Sequence, residues 1–454
     1  MKTYNLIFLS IFSFIVQNSF AQKTGGGELN PGIYANQESL ENFQNLRFGL
    51  SIHWGPNVLA GKEISWSRGK ETPKTEYDNF YKQFNPLKFN ADQWVGLIED
   101  FGMKYVIITS KHHDGFSMWH SDYSDYDLEA TPFKRDILKE LSDACMKKGI
   151  VFGTYYSTLD WYHPDYLPHG KGGPGEMFPK FKDTPNQNRY WIYVKNQLRE
   201  LLTKYHSQII QFDGDWDPTW THQVGSDMYL YIRKINDEVL VSSRTDVGRN
   251  PPPPYSKHEP WRGDIFAGDF EERERFTESA ETTQDESKMM NKSVYPWQAW
   301  VTVDQSQWSW KPNATFYSPK EIVIDLLKTI GGGGNYLINI GPRPDGTFEP
   351  TVVANMKEVG KWVKAHGDAI YGTRAGDFAE KGKFTSTQKG NTTNLFIFDN
   401  TLNIITLEKS NRKLLRVKTE KGENVDFTQV DEKITLKLDK SNLDFVKVYK
   451  LIFK

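Results

Sequence analysis

Residues 207–220 read SQIIQFDGDWDPTW. The first half is an apolar run of strand length, and it ends abruptly on Asp213, with Asp215 and Asp217 close behind. Asp213 closes the run directly, so the strand fixes its carboxylate. Asp215 and Asp217 fall in the following loop, where they can be solvated or cap a turn.

The same pattern recurs along the chain. FGLSIHW, YVIITS, IVFGTYYS, EVLVSSR, IFAGDF, YPWQAWV and NYLINIG are further β-type runs. Amphipathic stretches such as ADQWVGLIEDFG, RDILKELSDACMKKG, NRYWIYVKNQLRELLTKY and SPKEIVIDLLKTIG lie between several of them. Strands alternating with helices predict parallel pairing through crossovers, and eight strands predict an α/β fold of the (β/α)8-like TIM-barrel type. A doubly wound open sheet is the other arrangement this alternation allows. Polar residues collect at the C-terminal ends of the runs: His53, His112 and His113, Tyr155 and Tyr156, Asp213, and Arg244. In a barrel those ends ring one mouth, where such folds hold their chemistry.

Beyond the helical pattern TVVANMKEVGKWVKAHGDAIYG the text changes to short alternating segments separated by polar turns. This predicts a C-terminal antiparallel β-sandwich over 375–454, after a barrel domain over 22–374. GKGGPGE near 170 and the prolines at 251–254 read as loops. The N-terminal stretch MKTYNLIFLSIFSFIVQNSFAQK has a basic start, an apolar run and a small-residue close. It predicts a signal peptide over residues 1–21 and a periplasmic or extracellular protein. No later stretch approaches the roughly 18 unbroken apolar residues of a membrane span.

Composition narrows the function. The 454 residues carry 56 Lys and Arg against 58 Asp and Glu, with no long run of one sign, which argues against a nucleic-acid partner. Cys145, the single cysteine, can make neither an internal disulfide nor a cysteine zinc site, and it reads as a small core residue. The 14 Trp, 22 Tyr and 28 Phe suit a sugar-binding cleft as well as a large core. DGDWDP resembles the start of a calcium loop, but Pro218 stands where glycine is required and Val224 where the bidentate glutamate belongs. The adjacent histidines of KHHDGF are expected to point apart, so no metal and no cofactor is expected. IGGGGNYLINIGPRPDG lacks the GK[ST] of a phosphate loop and runs into a strand rather than a helix.

Carboxylate chemistry remains. Glycoside cleavage needs one ionised carboxylate and one carboxyl group that starts protonated, facing each other across the bond. Asp213 can supply the first, and GDIFAGDFEERERF offers Asp269, Glu271, Glu272 and Glu274 for the second; spacing does not choose among them.

At these residues the chain resembles the α-L-fucosidases of glycoside hydrolase family 29. The matching pieces run from RFGLSIHWG through KHHDGFSMWHSDYSDYD, GTYYSTLDWYHPDY, QFDGDW and GDFEERERF to GGGGNYLINIGPRPDG and AIYGTR, over about residues 40–375. The resemblance implies a barrel followed by a β-sandwich, and a retaining exo-α-L-fucosidase acting on a terminal fucosyl group of an oligosaccharide or glycoconjugate. It implies that Asp213 is the nucleophile and that the acid/base lies in a loop, at Glu274, with Glu272 and Glu271 as rivals. It further implies that His53, His112, His113, Tyr156 and Arg244 bind sugar hydroxyls and that Trp66 and Trp308 contact the apolar ring face. Two departures stand out: Gln298 where the family often has glutamate, and WSW at 308–310 in place of WGY. The same residues also allow an α-L-galactosidase, a non-catalytic sugar-binding protein or a metal-dependent hydrolase, and they leave the linkage, natural glycan and oligomeric state open.

Overall fold

The computed structural model describes residues 35–166, 186–246, 268–275, 296–408, 410–438 and 445–454. The predicted signal peptide, the glycine-rich stretch near 170 and the prolines at 251–254 lie outside the described residues.

Eight parallel strands form the first sheet: β1 (Phe48–Ile52), β2 (Tyr105–Lys111), β3 (Val151–Ser157), β4 (Ile209–Asp213), β5 (Leu240–Val241), β6 (Glu271–Glu274), β7 (Trp297–Thr302) and β8 (Asn335–Asn339). Every residue of β1, β2, β4 and β8 is buried, which is why these strands read as continuous apolar runs. The sheet order is β5-β4-β3-β2-β1-β8-β7-β6. A parallel bridge between Ser242 and Phe270 closes it, with Asp269 N–H donating to Val241 O (2.7 Å) and Ser243 N–H to Phe270 O (2.8 Å). The result is a (β/α)8 barrel.

Closure uses Asp269, whose carboxylate accepts from Ala35 N–H (2.8 Å), Val241 N–H (2.8 Å), the Tyr229 hydroxyl (2.5 Å) and Arg233. That carboxylate is therefore structural. Gly268 beside it takes φ +71°, and a Cβ there would lie 2.5 Å from Ser242 O, so only glycine lets the two strands meet. A Cβ on Gly334 would likewise strike the Trp297 ring at 2.5 Å, the close approach expected of the glycine run before β8.

The predicted crossover helices form and are capped by their own sequence. Asn90, Asp136, Asn186 and Thr221 accept first-turn N–H groups of the helices Ala91–Asp100, Ile137–Lys148, Gln187–Thr203 and His222–Ile235. Ser318 and Glu321 make a reciprocal capping box on Pro319–Gly331. The helix Gln37–Leu46 covers the N-terminal end of the barrel, where Phe43 packs on Tyr105 and Phe270. Cys145 is buried in its helix, and burial pushes its thiol up to about 12, which leaves it a core residue.

The C-terminal strands form a five-stranded sheet and a three-stranded sheet, both antiparallel, from Arg374 to Phe453. Side chains of both sheets, including Leu395, Ile405, Leu436 and Leu451, share one apolar cluster, as in a sandwich.

One strand differs from expectation. The sequence reading placed the sixth strand on IFAGDF and its acids in a loop, whereas β6 is Glu271–Glu274 itself. Hydrophobic periodicity cannot find a strand whose inward residues are charged.

Candidate active site

β4 ends on Asp213, β6 ends on Glu274, and Arg244 follows β5 between them. All three stand at the C-terminal mouth of the barrel. The period of two in β6 sorts the acids that spacing could not. Phe270, Glu272 and Glu274 share the inward face, while Glu271 turns outward and pairs with Arg273 (2.9 Å), whose guanidinium covers the Trp297 ring. Glu271 is thus removed from the site by the geometry of its strand. Glu272 sits one layer below Glu274, and its side chain is 0% exposed against 22% for Glu274.

Arg244 holds the three carboxylates together. Its Nη1 donates to Asp213 Oδ1 (2.5 Å), its Nη2 to Glu274 Oε2 (2.5 Å), and its Nε lies 3.0 Å from Glu272 Oε1. The resemblance assigned Arg244 to sugar hydroxyls, but all three of its nitrogens face carboxylates. Burial opposes the guanidinium charge, and Glu272, Asp213 and Glu274 outweigh it. Burial likewise works to raise the Asp213 carboxyl, yet Arg244, His113 and the Tyr155 hydroxyl together hold it well below the usual carboxylate range. Asp213 is therefore ionised and aimed by fixed partners, including its own Gly214 N–H (2.8 Å). Asp217 caps the turn beyond, accepting from Thr219 N–H (2.9 Å).

Tyr156 is a correction. It lies on the outward face of β3, donates to Gln197 Oε1 (2.8 Å) and packs over Lys111, inside the helix layer. Its neighbour Tyr155 points into the barrel and donates to Asp213 Oδ2 (2.6 Å). A shift of one residue in a strand reverses the face, so the role that the resemblance implies for Tyr156 falls to Tyr155 in contact with Asp213. In the sheet Tyr155 pairs with Gln211, which shares the inward face of β4 with Asp213.

The histidines also differ from expectation. His112 and His113 lie side by side, ring centroids 4.2 Å apart, rather than pointing away from each other. β2 ends at Lys111, so strand alternation no longer governs them, and the chain turns at Gly115. His112 Nδ1 meets Ser65 Oγ (2.6 Å), His113 Nδ1 meets Ser157 Oγ (2.6 Å), and His53 Nδ1 meets Asn339 Oδ1 (2.8 Å). His112, His113 and Asp213 offer ligand atoms within 4.8 Å of one another. A divalent ion there would sit beside Arg244, a fixed cation already bonded to Asp213, so the donor set suits a metal poorly.

Aromatic rings line both sides. Trp66 packs on His113, Trp161 and Trp216, and Trp308 packs at 4.4 Å on Trp300 with the rings tilted by 36°, with His53 5.2 Å from each of these last two rings. Trp300, Trp161 and Trp216 were not singled out from sequence. Trp300 lies in register with Glu274, a pairing that only the sheet reveals. Gln298 is in register with Glu272, a layer below the mouth, and accepts from the Tyr105 hydroxyl (2.8 Å) while facing Gln211. It serves as a neutral bridge inside the barrel.

Burial pushes His53 and His113 down to about 4 and holds His112 well below its ordinary value. An unfolded chain binds these protons near 6.5, so stability is full above that pH and is lost as pH falls toward 4. Each of His53 and His113 contributes on the order of 3 kcal/mol to that loss. Asp114, pushed up to about 6 by burial, acts in the opposite direction and offsets one of them below pH 6. The melting temperature is expected to fall between pH 7 and 4.5; calorimetry showing a flat profile would contradict neutral burial of these rings.

A barrel mouth with an ionised carboxylate, a second carboxyl group beside it and aromatic walls is the site of a glycoside hydrolase. The α-L-fucosidase family profile matches residues 28–368. The chain is 30% identical over 374 residues to the tissue α-L-fucosidase of Bos taurus, covering 77% of this chain and 72% of that protein. Its fold superposes on α-L-fucosidase isoenzyme 1 from Paenibacillus thiaminolyticus with a TM-score of 0.78, at 27% identity over 92% of this chain and 99% of that one. A family 29 α-L-fucosidase from Bacteroides thetaiotaomicron, trapped as a covalent intermediate with 2-fluoro-fucosyl fluoride, gives 0.80 at 25% identity, over 93% of this chain and 97% of that one. The chain belongs to the α-L-fucosidase family.

Proposed function

We propose that the protein is an exported, exo-acting α-L-fucosidase that works by retaining double displacement on terminal α-L-fucosyl groups. In the first step an Asp213 oxygen bonds the anomeric carbon as the glycosidic C–O bond breaks, and Glu274 gives its proton to the leaving oxygen. In the second, Glu274 takes a proton from water, whose oxygen displaces Asp213 and releases fucose. The observation that carries the reading is the Arg244 fork holding Asp213 and Glu274 at one rim. The trapped intermediate of the Bacteroides relative supports a covalent route. Export rests on the N-terminal sequence, and no helix among the described residues is long and apolar enough to cross a membrane. The catalytic unit is proposed to span 22–374 and the sandwich 375–454.

Glu274→Ala tests the acid/base assignment. Turnover of natural fucosides is expected to fall about 10²- to 10⁴-fold. Azide should restore activity on aryl fucosides and yield the α-L-fucosyl azide. Glu272→Ala should show no such rescue, and rescue that follows Glu272 instead would reverse the assignment.

A further inference from the structure

His53 and His112 stand side by side in the site, rings 5.7 Å apart and inclined at 73°. Their Nδ1 atoms meet different partners, and those partners dictate where each ring keeps its proton. Ser65 is fully buried, and its Oγ accepts the Asp114 N–H at 2.9 Å. Its own hydroxyl hydrogen has one acceptor in reach among the described residues, His112 Nδ1 at 2.6 Å. Were His112 to donate instead, a buried hydroxyl hydrogen would have no partner. His53 is the reverse. Asn339 Nδ2 donates to Trp308 O (2.7 Å), which fixes the amide so that Oδ1 faces His53. That Oδ1 accepts both the His53 backbone N–H (3.0 Å) and Nδ1–H (2.8 Å).

We propose that Ser65 and Asn339 are positioning residues that set opposite tautomers in His112 and His53, so that the pair offers the sugar one donor and one acceptor. The inference rests on the sugar site proposed above. With Nδ1 of His112 accepting, its proton sits on Nε2; with Nδ1 of His53 donating, its Nε2 carries the lone pair. No described residue bonds either Nε2. Both rings are neutral by burial, so the polarity is fixed rather than averaged. One sugar hydroxyl then donates to His53 and another accepts from His112, a directional reading that two histidines of the same tautomer could not give.

Ser65 itself is locked for this task. It holds φ +58°, its N–H donates to the Tyr77 hydroxyl (2.7 Å), and Tyr77 donates to Asp114 Oδ2 (2.5 Å). Because the backbone is left-handed, Ser65→Gly removes the hydroxyl without adding strain.

The test is long-range ¹H–¹⁵N NMR of the ligand-free protein labelled at histidine, with signals assigned from His53→Gln and His112→Gln. Protonated Nδ1 in His53 and protonated Nε2 in His112 are expected. Ser65→Gly should move the His112 signals, leave those of His53 in place, and raise KM for an aryl α-L-fucoside about tenfold with kcat within about twofold. The same protonated nitrogen in both wild-type rings, or an unchanged KM in Ser65→Gly, would overturn the proposal. Opposite tautomers in a protein that cleaves no α-L-fucoside would instead refute the function and leave the tautomer assignment standing.

Discussion

Asp213→Gly is expected to lower kcat on an aryl α-L-fucoside by at least about ten-thousandfold while the protein stays folded. The activity loss follows from chemistry: without the carboxylate no covalent intermediate forms, and the two-step path is closed. The fold survives because Arg244 keeps its fully buried partner Glu272. The small residue also leaves room beside Tyr155 and His113, which flank the carboxylate. Azide entering that space should displace the aryl group directly, in one inversion, and give the β-L-fucosyl azide. Glu274→Ala still passes through Asp213 and gives the α anomer by two inversions. The pair of products therefore separates nucleophile from acid/base in a way that rate losses alone do not. Activity within tenfold of wild type, or α-azide from Asp213→Gly, would remove Asp213 from its role.

The sequence reading of the barrel succeeded where strands are apolar on both faces, because a parallel sheet buried under helices leaves an unbroken hydrophobic signature. It placed Asp213 at a strand end for a related reason: an apolar run that closes on one acid marks where the strand stops. It lost the sixth strand because Glu272 and Glu274 point inward, and their burial depends on Arg244, which comes from the turn after β5. No local pattern announces a partner about thirty residues away. Tyr156 entered through the resemblance, and only the register of β3 against β4, a property of the sheet, shows that Tyr155 is the residue facing Asp213. The same limit explains the histidines, whose side-by-side placement needs the end of β2 and the turn at Gly115. Asp269 looked like a fourth candidate acid and proved to be a tie between strands, visible only once Ala35, Tyr229 and Val241 are brought to it.

The second large effect is expected from Arg244→Met, a change of similar length that removes the charge. The guanidinium is almost fully buried and faces three carboxylates, one of which, on Glu272, has no exposed side-chain surface. Removing one member of a buried ion pair leaves the other charge uncompensated and costs about 3–5 kcal/mol. Urea unfolding should show a loss of that size. The second consequence is chemical. Burial drives the Asp213 carboxyl upward and Arg244 is foremost among the groups that drive it down, so without the cation the carboxyl titrates higher. The acid limb of the kcat/KM profile should then move to higher pH, with the nucleophile partly protonated where the wild type is fully ionised. Adding Glu272→Gln to Arg244→Met removes the deepest of the carboxylates that Arg244 faces and should recover at least half of the lost stability. It should not restore the acid limb, because Asp213 still lacks its cation. Recovery of both together, or losses that simply add, would mean that Arg244 acts through packing rather than through charge on these three carboxylates.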